Sequence, residues 1–85
     1  KNEMKVSGVN WIKYDGITEG MEVITKIRYK DKGALSTLHT YETGIIVRFY
    51  EDVKGISPGQ SAVFYEGDDV IGGGIIQRLE QPFGL

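Results

Sequence analysis

The chain has no cysteine, one histidine and only two prolines. Without cysteine there is no disulfide framework, no thiolate zinc site and no cysteine nucleophile, and a reducing compartment is allowed. His39 alone cannot build a multi-histidine metal site. No apolar run approaches the roughly 18 residues of a membrane span, and no charged-then-apolar leader opens the chain, so no membrane is expected as a partner. Helical periodicity is missing too, with room for a single turn at Ile17–Met21. Catalytic patterns fail one by one. Ser61, in Gly59-Gln60-Ser61-Ala62-Val63, lacks the second glycine of a nucleophile elbow. Glu66, Asp68 and Asp69 lack the Asp-x-Asp-x-Asp-Gly spacing of a calcium loop and read as a solvated turn. His39, in Leu38-His39-Thr40, has no partner motif and reads as a packed or solvent-facing strand residue. The chain is therefore expected to be non-catalytic by itself and to hold no metal.

What is present is β structure. The 85 residues suit one small domain, with 40% hydrophobic and 26% charged residues in the ordinary globular range. Twelve acids against ten bases give a net charge of −2, which argues against a dedicated nucleic-acid binder but leaves room for a local basic stripe. Twelve glycines punctuate short runs of β-branched and aromatic residues. Six strands are predicted: Val6–Lys13, Glu22–Lys30, Ala34–Tyr41, Gly44–Tyr50, Gln60–Glu66 and Val70–Gln77. Tyr14-Asp15-Gly16, Asp31-Lys32-Gly33, Glu42-Thr43-Gly44 and Gly67-Asp68-Asp69 punctuate them, and Ser57-Pro58-Gly59 meets the demands of a type II turn. Six short strands in so small a chain predict an all-β, closed or nearly closed antiparallel barrel, because closure removes exposed edges. Lys1 is not an initiator Met and the chain stops at Leu85, which predicts a single barrel domain over 1–85, with a tail at 78–85, cut from a longer protein.

Two features carry functional readings. Gly72-Gly73-Gly74 interrupts the sixth strand, and glycine there marks a bulge, a barrel corner or a close backbone approach. A phosphate nest is the alternative, but no Lys-Ser or Lys-Thr follows the last glycine, so the corner reading is preferred. In the second strand Val23, Thr25, Ile27 and Tyr29 alternate with Lys26, Arg28 and Lys30. The three cations then share one face at about 6–7 Å intervals, comparable to nucleic-acid phosphate spacing. Arg48 lies on a neighbouring outer face, and Tyr29, Tyr41, Tyr50 and Tyr65 offer stacking surfaces. The competing explanation is the wet face of an amphipathic strand.

Ser57-Pro58-Gly59-Gln60-Ser61-Ala62-Val63-Phe64-Tyr65-Glu66-Gly67-Asp68, followed by Ile71-Gly72-Gly73-Gly74-Ile75-Ile76, resembles the C-terminal barrel of the bacterial tRNA-specific 2-thiouridylases. Val9-Asn10-Trp11-Ile12, Lys26-Ile27-Arg28-Tyr29-Lys30 and Val47-Arg48-Phe49 add support, so the resemblance runs from Val6 to Gln77. It implies a barrel like the second domain of translation elongation factors, with Pro58, Gly59, Gln60 and the glycine triplet as structural motif residues. It implies a cytoplasmic parent enzyme, once labelled a methyltransferase, whose N-terminal domain uses ATP with Mg to adenylate the wobble uridine of tRNA. A small central domain follows, and a sulfur-relay protein delivers sulfur as a persulfide on a catalytic cysteine. The barrel would then help hold tRNA, through Lys26, Arg28, Lys30 and Arg48, or brace the catalytic domains. Lys54-Gly55-Ile56 departs from the family, where a basic residue and an apolar pair are common, and the added glycine predicts a looser loop. A protein-interaction barrel from another multidomain protein is the other reading, with the apolar fifth strand docking on a neighbour.

Overall fold

Alternation of buried and less buried residues sets β1 to β5, while β6 breaks it at its bulge. In β2 (Met21–Lys26) Val23 and Thr25 are buried, and in β5 (Ser61–Glu66) Ala62 and Phe64 are. The same period-two pattern sends Met4 and Val6 of β1 (Glu3–Trp11) and Ser36 and Leu38 of β3 (Ala34–Tyr41) inward. It does so again for Ile45, Val47 and Phe49 of β4 (Gly44–Phe49) and Ile76 of β6 (Asp69–Ile76). The computed structural model describes residues 2–28 and 30–78. Tyr29, expected to face inward, and all of the expected tail beyond Arg78 lie outside the described residues.

The six strands close into an antiparallel barrel in the order β1-β4-β3-β2-β5-β6, as the turn spacing predicts, and no helix occurs among the described residues. The boundaries shift where pairing, not propensity, decides. The first strand starts at Glu3 because Glu3 to Val6 pair with Arg48 to Ile45, and it ends at Trp11. The second stops at Lys26, because a bond from the Asp31 amide to the Arg28 carbonyl closes a turn there. The helical turn for which Ile17–Met21 left room is a β-turn instead: the Met21 amide bonds the Thr18 carbonyl, with Gly20 at φ +79°.

The glycine triplet does not interrupt β6. The strand runs through it, and each glycine faces a backbone carbonyl. A Cβ on Gly72, Gly73 or Gly74 would lie 2.8, 2.6 or 2.6 Å from the carbonyl oxygens of Asn10, Ala62 and Ser7. Register shifts flank it. Ile71 is the extra residue against Phe64 and Tyr65, and Gly8, at φ +59°, lies in the shift between Ser7 and Asn10. These are the bulges and close approaches that let six strands bend into a ring.

Among the described residues the interior holds one polar pair. Thr25 and Ser36 are buried, their hydroxyl oxygens 2.7 Å apart, and Ser36 also reaches the Val23 carbonyl. No buried side-chain polar atom lacks a partner among the described residues, which is what makes hydroxyls tolerable in so small a core.

Candidate nucleic-acid interface

The strand directions sort the charges. One rim carries the 27–33 turn and the 50–60 loop. There Lys26, Arg28, Lys30, Lys32 and Lys54 stand against Asp31, Glu51 and Asp52, and Glu3 and Arg48 pair with each other at the same end. The opposite rim carries the 12–20 loop and the β3–β4 and β5–β6 hairpins. There Asp15, Glu19, Glu66, Asp68 and Asp69 gather with Lys13, and Glu42 lines a cleft with Lys5 and Arg78. A chain of net charge −2 thus presents one basic end. Because exposed charges beyond a Debye length of about 8–10 Å are screened, an approaching polyanion responds to the local rim and not to the total.

At the basic rim an open groove runs between the end of β2 and the start of β5, lined by Lys26, Ile27, Arg28, Gln60, Ser61, Val63 and Tyr65. Ile27 is buried and anchors the segment, so the inward and outward alternation persists past the end of β2. Lys26 Nζ sits 4.6 Å from the centre of the Tyr65 ring, a cation–π contact. The Ser57-Pro58-Gly59-Gln60 turn forms the groove's far edge. Gly59 has φ +90°, and the Gln60 amide bonds the Ser57 carbonyl, as a type II turn requires. Two further bonds, from the Gly59 amide to the Ile76 carbonyl and from the Ile76 amide to the Gln60 carbonyl, fasten that turn to the end of β6.

Of the residues singled out from sequence, Lys26 and Arg28 line this groove, and Lys30 lies exposed in the adjoining turn. They do not form a continuous strand stripe, since β2 has ended before Arg28. Arg48 is apart: it sits on β4, separated from β2 by β3, and its Nε donates to Glu3 at 2.8 Å. The loop after β4 differs from its expected looseness. Arg28 Nη2 donates to the carbonyls of Lys54 (3.2 Å) and Gly55 (2.8 Å), so the glycine is where the loop is held. Sequence reading passed over Ser61 as a groove residue, because only the β2–β5 pairing of Lys26 with Val63 brings it beside the cation.

The acidic rim is internally bonded. Lys13 Nζ reaches Glu66 (2.9 Å) and Asp69 (3.0 Å), and the Tyr14 hydroxyl donates to Glu66 at 2.6 Å. The Tyr14 and Lys13 bonds hold the Glu66 carboxyl below its ordinary range. Glu19 accepts from the Thr40 amide and hydroxyl and contacts His39 Nδ1 at 2.9 Å, which likewise lowers its carboxyl. His39 is thus a strand residue tied to a loop carboxylate. No group of three His, Cys, Asp or Glu side chains among the described residues is placed to hold a metal ion.

These two depressed carboxyls fix a sign for acid stability. Each favours the folded state above its unfolded pKa, and that contribution disappears as pH falls through the lower, folded value. The melting temperature is therefore expected to drop between about pH 5 and pH 3, and Glu19→Gln with Glu66→Gln should flatten that limb. Equal slopes for wild type and the double variant, measured by thermal denaturation across pH, would remove both carboxylates from the account.

Comparison with known proteins follows the same lines. Residues 1–76 match the family model described as "Aminomethyltransferase beta-barrel domain". The chain is 47% identical over 79 residues to the tRNA-specific 2-thiouridylase MnmA of Cytophaga hutchinsonii, covering 91% of this chain and 21% of that protein. It is 44% identical over 71 residues to the protein of the same name from Caldicellulosiruptor saccharolyticus, covering 82% of this chain and 20% of that protein. For the Clostridium acetobutylicum protein the identity is 41% over 78 residues, covering 91% and 22%. The chain spans about a fifth of the length of the curated relatives it matches.

Proposed function

The chain belongs to the aminomethyltransferase β-barrel domain family, and on that premise we propose that it is the accessory barrel of a tRNA-specific 2-thiouridylase. In this reading the barrel performs no chemistry. The longer enzyme binds ATP with Mg in another domain, activates the wobble uridine, and takes sulfur as a persulfide from a sulfur-relay protein in the cytoplasm. The barrel's part is to help hold the tRNA. The observation that carries this is the segregation of charge, which gives an acidic domain one basic rim with a groove at Lys26. Lys26, Arg28 and Lys30 are the candidate contacts there, and Arg48 is one outside the groove. The acidic rim repels RNA, so it is the end turned toward the parent's catalytic and central domains. Ile12 and Val70 remain exposed there, ready for burial against protein.

The test is tRNA affinity against salt for the full-length enzyme. Each phosphate contact contributes about −0.7 to −0.9 to the log–log slope, so Lys26→Glu with Lys30→Glu should reduce its magnitude by roughly 1.5. Affinity for ATP should stay unchanged. Wild-type slope and affinity in the double variant would return these lysines to being an ordinary wet surface.

A further inference from the structure

The basic triplet reads in sequence as three equivalent cations, but the structure separates them. Arg28 lies exposed along the neighbouring loop, where one nitrogen, Nη2, donates to two successive carbonyls, Lys54 and Gly55. That approach exists because residue 55 has no side chain. A Cβ there would lie 1.8 Å from Nη2, and its φ of +73° is one that other residues rarely adopt. Lys26, by contrast, sets its ammonium group over the Tyr65 ring and makes no hydrogen bond or ion pair to the other described residues, which leaves N–H donors free among them. Across the groove the Gln60 and Ser61 side chains are exposed and make no hydrogen bond to the described residues. The Gln60 backbone, however, is fixed at both its amide and its carbonyl.

We infer that this groove is a binding site for a ribose–phosphate unit of RNA, gripped by Lys26, Gln60 and Ser61, and that Arg28, on the groove's lining, is a positioning residue tied to the neighbouring 51–56 loop. The inference rests on the tRNA reading above and adds a division of labour to it. An ammonium is a point-charge partner for a phosphate oxygen. A carboxamide and a hydroxyl offer donors and acceptors to phosphate and to the 2′-hydroxyl. Arg28 acts on RNA through Lys54, whose backbone it clamps. Lysine is a poor replacement, because Nη2 holds its two N–H bonds in the guanidinium plane at the end of a longer side chain, whereas an ammonium is a shorter, freely rotating point donor.

The experiment measures binding of unfractionated tRNA to the full-length enzyme at several salt concentrations, with hydrogen exchange of the 51–56 amides as a second readout. Arg28→Lys keeps the charge but loses the planar N–H pair of Nη2, and Gly55→Ala keeps the arginine but closes its seat. Both should weaken binding by roughly tenfold, on the order of one charge-assisted hydrogen bond, at an unchanged salt slope. Both should also speed exchange in the loop. Gln60→Ala with Ser61→Ala should weaken binding with the slope and the loop exchange unchanged. Lys26→Gln should lower the slope magnitude by about 0.7–0.9. Wild-type affinity in both Arg28→Lys and Gly55→Ala, with Arg28→Gln lowering the slope by that same amount, would make Arg28 a direct phosphate contact and overturn the inference. Wild-type affinity for Gln60→Ala with Ser61→Ala would remove the groove's grip. No effect of Lys26→Gln on affinity or slope would take down the tRNA reading itself, a pattern distinct from either failure.

Discussion

Replacing Gly44 by valine should destabilise the barrel by about 3 kcal/mol, a large share of the roughly 4–13 kcal/mol available to a chain of this length. Gly44 opens β4 where it crosses β1. A Cβ at this position would lie 2.2 Å from the Val6 carbonyl oxygen and 3.2 Å from Ser7 Cα. The neighbour is backbone, and Val6 is fixed on both sides, by its pairing with Ile45 and with Ile76. Nothing at the contact can rotate away, so a strand must move. Gly73→Val should act in the same direction, with a 2.6 Å approach to the Ala62 carbonyl. Asp68→Asn, at an exposed hairpin tip, should stay within about 0.5 kcal/mol. Thermal denaturation reads the difference directly: at about 4–8 °C per kcal/mol, Gly44→Val should melt more than roughly 10 °C below wild type. An unchanged melting temperature would mean that the β1–β4 crossing is looser than its geometry.

Phe64→Ala should cost about 3–5 kcal/mol, the usual range for deleting a buried aromatic ring. Phe64 is 0% exposed, and its ring centre lies 6.0 Å from that of Trp11. Trp11 in turn covers Gly72, where a Cβ would meet its Cε3 at 2.7 Å. The ring therefore fills the end of the barrel beneath a lid that cannot settle downward, since Trp11 already rests on glycine backbone. The cavity stays open, and its cost adds to the lost transfer free energy. Ile12→Ala is the matched control: Ile12 is 66% exposed, and its loss should fall within about 0.5 kcal/mol in the 85-residue chain. Urea titration of the two variants separates them, and equal midpoints would contradict the burial of Phe64.

The fold was legible because its signals are local. A type II turn needs proline and then glycine, and Ser57-Pro58-Gly59-Gln60 supplies them wherever the turn finally docks. Period-two alternation chooses a face within each strand, so Val23, Thr25 and Ile27 point inward without reference to a partner. Strand ends were less legible. β2 stops at Lys26 where a local turn bond displaces the expected strand end, and β1 begins at Glu3 through pairing with Arg48, an event that no window of a few residues contains. The sixth strand reads as broken at its glycines, yet it is continuous, since those glycines answer to carbonyls on β1 and β5.

The candidate site divides the same way. The sequence by itself determined that Lys26, Arg28 and Lys30 would face outward near one another, because alternation and chain connectivity leave them little choice. It determined also that this chain carries no cysteine chemistry. Only the tertiary structure decided what each cation is for. The β2–β5 pairing set Ser61 and Tyr65 beside Lys26, the loop after β4 folded back to receive Arg28, and closure of the ring separated an acidic end from a basic one. A side chain's partners come from strands distant in sequence, and their distance from it is fixed only when the barrel closes.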